Sequence, residues 1–322
     1  MEYKDPFIAE RADPFITRSP DGTYYFTASY PAVNDELHGY DRIILRRGKT
    51  VSDLRDSEEI TVWKAHGEGI MSRHIWAPEI HLIGGKWYIF FAAATSENKW
   101  DIKPYVLRCN EDDPYTENWE EMGVVRKTAE DELSFRCFSL DMTYFSHNEK
   151  HYLIWAQIEG CSSLFMAETY EEAPWKLKTE PVLLSTPEYD WEKVVHKVNE
   201  GASVLKANGK IYVFFSASGT GAEYCIGRLE ADSDSDLMNA SSWKKLPYPV
   251  LSTKDLNSCA GPGHNSFVRD ENGELLLIYH ARPLSHITKQ CGTYCDESLY
   301  DPCRHTRIKK VTFDENGEPL LK

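Results

Sequence analysis

Apolar runs and polar turns recur in the same order in five segments of the chain. Each segment has a short strand-like run, a turn, and a second run rich in Tyr, Phe, Ile and Val. Nine positions after the first residue, the turn carries a glycine in four segments and Lys150 in the third. Two such runs joined by a short turn are typical of a β-hairpin. The five segments, which align without gaps, are "DPFITRSPDGTYYFTAS" from Asp13, "WAPEIHLIGGKWYIFFAA" from Trp76, "DMTYFSHNEKHYLIWAQ" from Asp141, "EGASVLKANGKIYVFFSAS" from Glu200 and "HNSFVRDENGELLLIYHAR" from His264.

The hairpins recur at nearly constant intervals. Their first residues lie 63, 65, 59 and 64 positions apart (76−13, 141−76, 200−141, 264−200). Repeats of about 60 residues with several short strands each are typical of a β-propeller. Segments such as "YVLRCN" and "YCIGRLEA" are candidates for outer strands, and little of the chain looks helical. We predict an all-β protein, a five-bladed β-propeller with four strands per blade that forms a single domain over residues 1–322.

Propeller geometry assigns a common place to the first residues of the five hairpins. Equivalent positions of all blades are related by rotation about one axis, so these residues should face one central cavity. They are Asp13, Trp76, Asp141, Glu200 and His264. Three carboxylates brought together repel one another and lose solvation, which is costly without a function. The alternative, that they are solvated turn residues, requires the repeat to be coincidental.

Composition and charge narrow the class of protein. The formal net charge of −15 argues against a nucleic-acid partner, which would need clustered Lys and Arg. No apolar run approaches the roughly 18 residues of a membrane span, so no membrane partner is predicted. The N-terminal "MEYKDPFIAERADPF" has no basic region followed by an apolar one, and so does not read as a signal peptide. Together with the cysteine pattern this favours a cytoplasmic location, with removal of a signal peptide as the alternative.

The distribution of the eight cysteines indicates that most of them are reduced thiols. They are well spread, and several lie within apolar stretches, as is common for buried thiols in a cytosolic protein of this size. Cys291, Cys295, Cys303 and His305 are closer together and offer an alternative, a structural zinc site. Their spacing lacks the close Cys pair of the usual zinc patterns. We therefore expect a thiol-bearing loop without metal.

The predicted cavity contains the groups needed for glycoside hydrolysis. One carboxyl can protonate the leaving oxygen while another activates water or attacks the sugar, and a third can raise the pKa of the acid. Trp76 offers an apolar face for a sugar ring. His264 is either an ion-binding or a hydrogen-bonded structural residue. Arg282 could bond vicinal hydroxyls with its planar fork or form an ion pair at a strand end.

At these residues the chain resembles glycoside hydrolase family 43, and within it the exo-acting α-L-arabinofuranosidases that degrade arabinan. The resemblance extends over nearly the full length. The matching pieces are "ADPFI", "HIWAPEIH", "IGGKWYIFFAA", "FSLDMT", "LLSTPEYDWE", "VNEGASVLKANGKIYVFFSAS", "YCIGRL", "GPGHNSF", "YHARP" and "DPCRHTR".

The resemblance implies a five-bladed propeller enzyme that hydrolyses glycosidic bonds with inversion of the anomeric configuration. It implies that Asp13 is the general base, Glu200 the general acid, and Asp141 the residue that tunes the pKa of the acid. It also implies that His264 lies near an axial ion, commonly calcium, and that Arg282 contacts the sugar. No cofactor is needed for the chemistry, and the ion would be structural.

The expected substrate is an α-1,5-linked arabino-oligosaccharide or arabinan, from which L-arabinofuranose is released. The cysteine-rich "KQCGTYCDESLYDPC" departs from the family pattern and puts the preference for linkage and chain length in doubt. Other pentose glycosidases on the same scaffold remain alternatives: an endo-arabinanase, a β-xylosidase or a xylan-debranching arabinofuranosidase. A non-catalytic sugar-binding propeller is a further alternative, although it would be expected to lose one of the three acids. No oligomeric state is predicted.

Overall fold

The computed structural model describes residues 3–31, 39–288 and 298–322. Their strands are numbered in chain order. Blade 1 contains β1 (Ala12–Arg18), β2 (Tyr24–Ser29), β3 (Arg42–Gly48) and β4 (Ile60–Lys64). Blade 2 contains β5 (Arg73–Ile83), β6 (Lys86–Ala94), β7 (Lys103–Cys109) and β8 (Trp119–Val124). Blade 3 contains β9 (Ser139–His147), β10 (Lys150–Ile158), β11 (Ser162–Thr169) and β12 (Val182–Ser185).

The remaining strands follow the same plan. Blade 4 contains β13 (Asn199–Ala207), β14 (Lys210–Ala217), β15 (Cys225–Asp232) and β16 (Lys244–Lys245). Blade 5 contains β17 (Cys259–Arg269), β18 (Leu275–Pro283) and β19 (His305–Lys310). A small ribbon is formed by β20 (Thr312–Phe313) and β21 (Pro319–Leu320). The helices are α1 (Leu284–Ile287) and short 3₁₀ turns at Ser52–Arg55, Asp190–Glu192, Ala240–Ser242, Thr253–Asp255 and Ser298–Tyr300.

Each blade is an antiparallel meander whose strands pair in sequence order. The innermost strands are β1, β5, β9, β13 and β17, and each contacts the innermost strands of both neighbouring blades. They therefore form a closed ring around a central axis. The predicted all-β, five-bladed propeller is confirmed, and the predicted hairpins are the two inner strands of each blade.

The fifth blade departs from the four-strand expectation. It has three strands in the described part of the chain, and its outer edge is covered by the N-terminal segment. The backbone N–H of Phe7 donates to the carbonyl of Thr306 at 2.9 Å, and the N–H of Thr306 donates to the carbonyl of Ile8 at 2.9 Å. This pairing joins the start of the chain to the last blade and closes the ring.

Apolar side chains between adjacent blades hold the ring together. Five buried clusters alternate with the five sheets, one at each blade-to-blade contact. Tyr25 and Trp87, for example, meet edge to face between blades 1 and 2 with ring centroids 5.2 Å apart. Sheets with two apolar faces are stable when neighbours cover both, which a closed ring provides without an exposed end. In the part of the chain that the structure describes, no helix has the length and hydropathy to cross a bilayer.

Candidate active site

An extra residue interrupts each innermost strand near its start. In blade 1, Ala12 pairs with Ser29 but Phe15 pairs with Thr27, so three steps on β1 match two on β2. The same excess occurs once in blades 3 and 4 and twice in blades 2 and 5. Such a β-bulge bends the strand and redirects its side chains. In every blade one bulge residue that lies at or next to a predicted axial residue adopts a left-handed backbone, with φ of 53°, 47°, 54°, 55° and 45° at Asp13, Ala77, Asp141, Gly201 and His264.

These left-handed positions correct the alignment made from the sequence. Asp13, Asp141 and His264 are equivalent, but Trp76 and Glu200 each lie one residue before the equivalent position. The second strands of blades 2, 3 and 4 begin at Lys86, Lys150 and Lys210, each nine residues after the left-handed residue (86−77, 150−141, 210−201), so the sequence alignment that set Lys150 opposite Gly85 and Gly209 is shifted by one residue. The site therefore uses two positions of the bulge, the left-handed residue in blades 1, 3 and 5 and the residue before it in blades 2 and 4.

The two sets of positions meet in one cavity of about 910 Å³ at the propeller axis. Its volume lies in the usual range for small-molecule sites. All five residues predicted to face the axis line it, together with apolar side chains on its outer wall. Those apolar residues are Trp100, Phe138, Leu140, Ile158, Val195 and Leu299. Polar groups at the axis and an apolar wall around them suit a sugar, which has both hydroxyl and carbon faces.

Asp13 is surrounded by basic groups. Its Oδ1 lies 3.3 Å from Nδ1 of His280, 3.5 Å from Nδ1 of His264 and 3.5 Å from a guanidinium nitrogen of Arg304. The hydroxyl of Ser29 donates to Oδ2 at 2.5 Å. Burial alone would raise the pKa of Asp13, but Arg304, His264 and His280 outweigh it and hold the pKa well below its usual value. Asp13 is therefore ionised at neutral pH.

Glu200 has the opposite electrostatic environment. Its side chain is half-buried, and the loss of solvation raises its pKa to about 7. The Tyr224 hydroxyl, which donates to Oε1 at 2.8 Å, lowers this pKa in part, whereas the negative charge of Asp13 raises it. A carboxyl with a pKa near 7 still carries a proton in a large share of molecules at neutral pH, as a general acid requires.

Asp141 lies beside Glu200 and is coupled to it. Its Oδ2 accepts the backbone N–H of Gly201 at 3.0 Å and lies 3.8 Å from Nδ1 of His264. Burial raises its pKa well above the usual value, and repulsion by Glu200 and Asp13 adds to this, while the Gly201 hydrogen bond opposes it. Because the repulsion between Asp141 and Glu200 is mutual, the ionisation of either carboxyl disfavours that of the other.

Trp76 is a wall residue with one covered face. Its indole stacks on the His74 ring with centroids 4.1 Å apart and planes 19° from parallel, and Trp100 lies 6.4 Å away. The Trp76 side chain is nearly buried, and its Nε1–H has no hydrogen-bond partner among the described residues. A buried donor without a partner is costly, and a bound hydroxyl could satisfy it.

Two arginines near the end of the chain have different places. Arg282 is buried and donates to Oδ2 of Asp301 at 2.9 Å, which is the ion-pair alternative considered from the sequence. It is absent from the described lining of the cavity, so its contact with a sugar stays a prediction. Arg304 does line the cavity and holds the charge nearest to Asp13. The sequence signal for Arg304 was present in "DPCRHTR", but no role was assigned to it.

His264 faces carboxylates as expected for an axial histidine. Its backbone N–H donates to the Ser216 hydroxyl at 2.7 Å, and its ring packs where a Cβ on Gly201 would come within 3.1 Å of Nδ1. Among the described residues, no group of three ligand-type side chains within 4.8 Å of one another includes His264. The donors present would therefore fit a hard cation mainly through water molecules, and this ion stays a prediction.

Comparison with known proteins identifies the scaffold that carries this site. The sequence profile of glycosyl hydrolases family 43 matches residues 3–319. The chain belongs to glycosyl hydrolase family 43. Membership in family 43 makes it a glycoside hydrolase, and the resemblance noted in the sequence is confirmed.

Similar family 43 proteins have specific names. The "Extracellular exo-alpha-(1->5)-L-arabinofuranosidase" of Streptomyces chartreusis is 45% identical over 88% of this chain and 84% of that protein. A protein of the same name from Streptomyces avermitilis is 40% identical over 99% of this chain and 63% of its own length. The solved structure of α-L-arabinofuranosidase from Lactobacillus brevis has 39% identity and a TM-score of 0.88, covering 99% of this chain and 96% of that one.

Proposed function

We propose that this family 43 chain is an inverting exo-α-L-arabinofuranosidase. Its substrates would be α-1,5-linked arabino-oligosaccharides or arabinan, from which it releases L-arabinofuranose. One observation carries the catalytic part of the proposal: two carboxyls that line one cavity, Asp13 and Glu200, have pKa values shifted in opposite directions. The names of the similar proteins support the substrate.

The opposite shifts assign the roles. Glu200 donates its proton to the glycosidic oxygen as the bond to the anomeric carbon breaks. Asp13, already ionised, accepts a proton from a water molecule whose oxygen attacks that carbon from the opposite face. One turnover leaves Glu200 ionised and Asp13 protonated, and exchange with solvent restores both. An inverting site needs room for this water, so the two carboxyls should lie roughly 6.5–9.5 Å apart.

Neighbouring residues prepare these two groups. Repulsion by Glu200 contributes to the raised pKa of Asp141, and because such repulsion is mutual we expect an ionised Asp141 to disfavour the ionised form of Glu200. Arg304 keeps Asp13 ionised and, as part of the cavity lining, would be available to bond a sugar hydroxyl. Trp76 would pack against the sugar and offer its indole N–H, and a structural cation held through water near His264 would need no part in the reaction.

The other pentose glycosidases would use the same three acids. Solved structures of an endo-arabinase and a β-1,4-xylosidase are 17% and 18% identical to this chain, which supports only a common fold. A non-catalytic propeller would have no need for oppositely shifted carboxyls. We therefore retain the arabinofuranosidase as the proposal.

The cytoplasmic location is a weaker part of the proposal. Two similar proteins are named extracellular, which conflicts with it. In its favour, Cys109, Cys137, Cys161, Cys225 and Cys259 are free thiols, as is usual in a reducing compartment. Immunodetection in the cell and medium fractions of the native host would decide between the two.

Product analysis tests the substrate. Reduced α-1,5-arabino-oligosaccharides should yield arabinose one unit at a time, and release of mixed oligomers would contradict exo action. A panel of nitrophenyl glycosides should favour the α-L-arabinofuranoside over the β-xyloside. Equal or greater activity on the xyloside would contradict the proposed substrate, although the protein would still be a glycosidase.

Variants of the two acids test the roles. Glu200→Ala and Asp13→Ala should each lower the rate on an unactivated arabinoside by several orders of magnitude. A nitrophenolate leaves without much protonation, so Glu200→Ala should regain much of its activity on the nitrophenyl arabinoside and Asp13→Ala should not. Recovery of Asp13→Ala instead would exchange the two assignments. Asp131→Ala, which alters a buried aspartate outside the cavity lining, is the control.

A further inference from the structure

A second group of buried ligand-type side chains lies outside the cavity lining. It consists of His286 on α1, and Asp301 and Cys303 on the segment before β19. A ring nitrogen of His286, a carboxylate oxygen of Asp301 and the Sγ of Cys303 all lie within 4.8 Å of one another. The exposed fractions of these residues are 0%, 0% and 6%. Among the described residues this is the one group of three such side chains that meets so closely.

The chemistry of these donors matches zinc. Imidazole nitrogen, carboxylate oxygen and thiolate sulfur are its three protein ligand types, whereas calcium and magnesium prefer oxygen alone. Thiolate in the set also disfavours manganese and the other hard cations. We propose that His286, Asp301 and Cys303 bind a structural zinc ion. This inference does not depend on the proposed arabinofuranosidase activity.

The surroundings of Asp301 support a ligand role. Arg282 donates to Oδ2 at 2.9 Å, and the backbone N–H of Cys303 donates to Oδ1 at 2.8 Å. These bonds fix the plane of the carboxylate and direct Oδ1 towards His286, as outer hydrogen bonds do for carboxylates that bind metals. Arg282 neutralises one of the two negative charges of Asp301 and a Cys303 thiolate, so one negative charge remains to attract the cation. Zinc binding would release the thiol proton to solvent.

The nitrogen of His286 and the oxygen of Asp301 lie slightly closer together than two ligand atoms of a zinc ion. Nε2 of His286 lies 2.8 Å from Oδ1 of Asp301. Ligands about 2.0–2.3 Å from a tetrahedral zinc stand about 3.3–3.8 Å apart. The ion would therefore have to push these two atoms apart by about 0.5 Å. The competing arrangement is a direct hydrogen bond between His286 and Asp301 without metal.

The sequence pointed to this region but selected a different set of ligands. His305 was considered there, but its Nδ1 accepts the backbone N–H of Glu10 at 2.9 Å. His286 belongs to another element, so no spacing pattern included it. Cys291 and Cys295 lie outside the described residues, and the proposal does not use them. The expectation of a metal-free thiol loop stays untested, and the site proposed here differs from it because it is built on His286 and includes Cys303.

A zinc ion here would stabilise one wall of the cavity. Asp301 and Cys303 lie in the short segment between Leu299 and Arg304. Leu299 lines the cavity, and Arg304 faces Asp13. Arg304 also donates to the carbonyl of Leu299 at 3.0 Å. Fixing the segment at Asp301 and Cys303 would therefore fix the position of the Arg304 guanidinium.

Metal analysis of the full chain tests the proposal. After incubation with equimolar Zn²⁺ and gel filtration, the unmodified protein should retain about one zinc per chain by elemental analysis. Cys303→Ser and His286→Gln should each weaken zinc binding at least about 10-fold. Cys109→Ser, which alters an equally buried thiol in blade 2, should retain the zinc. Retention of zinc by Cys303→Ser at the level of the unmodified protein would place the ion elsewhere and overturn the assignment.

Cobalt provides a readout that does not depend on variants that fold poorly. Zinc removed from the unmodified protein by a chelator and replaced by Co²⁺ should give a thiolate-to-cobalt charge-transfer band and the intense visible bands of tetrahedral cobalt. Reloading with Zn²⁺ should abolish both and raise the Tm of the chelated protein. Absence of bound zinc after equimolar incubation, or cobalt binding without a thiolate band, would overturn the proposal.

Discussion

Replacement of Arg304 by methionine should move the acid limb of the enzyme's pH profile. Arg304 carries the charge nearest to Asp13, at 3.5 Å, and is the main group that lowers the pKa of that carboxyl. At an effective dielectric constant of about 20, two unit charges 3.5–4.5 Å apart interact by about 4–5 kcal/mol. Loss of this interaction corresponds to about 3 pKa units. Methionine keeps much of the bulk of the side chain and removes the charge.

The sign of the effect follows from the role of Asp13. Only the ionised carboxylate accepts a proton, so kcat/KM falls as pH drops through the pKa of Asp13. In the unmodified enzyme that pKa is well below its usual value, and activity should persist in mild acid. In Arg304→Met the pKa rises, so the acid limb should move by up to about 3 units towards neutral pH.

The assay is kcat/KM for a nitrophenyl arabinofuranoside between about pH 2.5 and about pH 9, because this parameter reports the pKa values of the free enzyme. Arg304→Lys, which keeps the charge, should leave the limb near its original position. Arg228→Met removes a buried arginine that pairs with Glu230 and Glu318 in the outer part of blade 4, and should not move the limb. If Arg304→Met lowered kcat/KM equally at every pH, the charge of Arg304 would not control Asp13.

Three further outcomes follow from the same site and its support. Asp141→Asn should lower the pKa of Glu200 and move the alkaline limb of the rate profile to lower pH, because one source of repulsion is gone; an unmoved limb would contradict the tuning role. Gly201→Ala should destabilise the fold by about 1–2 kcal/mol in urea unfolding, because alanine is strained at a φ of 55°. It should also lower kcat/KM, because the new Cβ would lie only 3.1 Å from Nδ1 of His264 and would displace that ring. Lys245→Met should lower the free energy of unfolding by about 3–5 kcal/mol in the same assay, because it leaves the buried Glu192 carboxylate, 2.8 Å away, without its cation. The control is Lys244→Met, which alters an exposed lysine. Equal effects of the two changes would refute the argument.

The features predicted well from the sequence are local ones. A turn glycine such as Gly209 and the apolar runs around it specify a hairpin within about 20 residues, and five copies at a constant interval specify the propeller. The three acids could be selected because each lies at the start of such a hairpin. These inferences needed no knowledge of which residues meet in space.

The positions of Trp76 and Glu200, one residue before the left-handed bulge residue, could not be predicted from such local patterns. A left-handed residue is signalled in sequence mainly by glycine, and only Gly201 among the five bulge positions is one. Asp13 and Asp141 adopt the same backbone without that signal. Their strain is offset by bulge packing and by hydrogen bonds such as that from Gly201 to Asp141, which form only in the closed ring.

The roles of Arg282 and Arg304 depend on contacts between distant parts of the chain. Arg282 ends the last hairpin and Arg304 follows it, and no local pattern marks either arginine as the partner of Asp13. Arg304 reaches Asp13 because blades 5 and 1 are neighbours across the closure. Arg282 pairs with Asp301 on a segment that has no regular spacing relative to the repeats. Sequence intervals therefore gave no basis for choosing between them.

The pairing of Phe7 and Ile8 with Thr306 has a consequence for synthesis of the protein on the ribosome. The chain emerges from its N-terminus, so Phe7 and Ile8 are available from the beginning, whereas their partner on β19 emerges about 300 residues later. At about 5–20 residues per second, the first segment waits about 15–60 seconds for it. During that interval the apolar faces of blade 1 that will meet blade 5 are uncovered. Nascent chains should therefore depend on chaperones until translation is nearly complete, and the late-made fifth blade should set the time at which the enzyme becomes resistant to proteases.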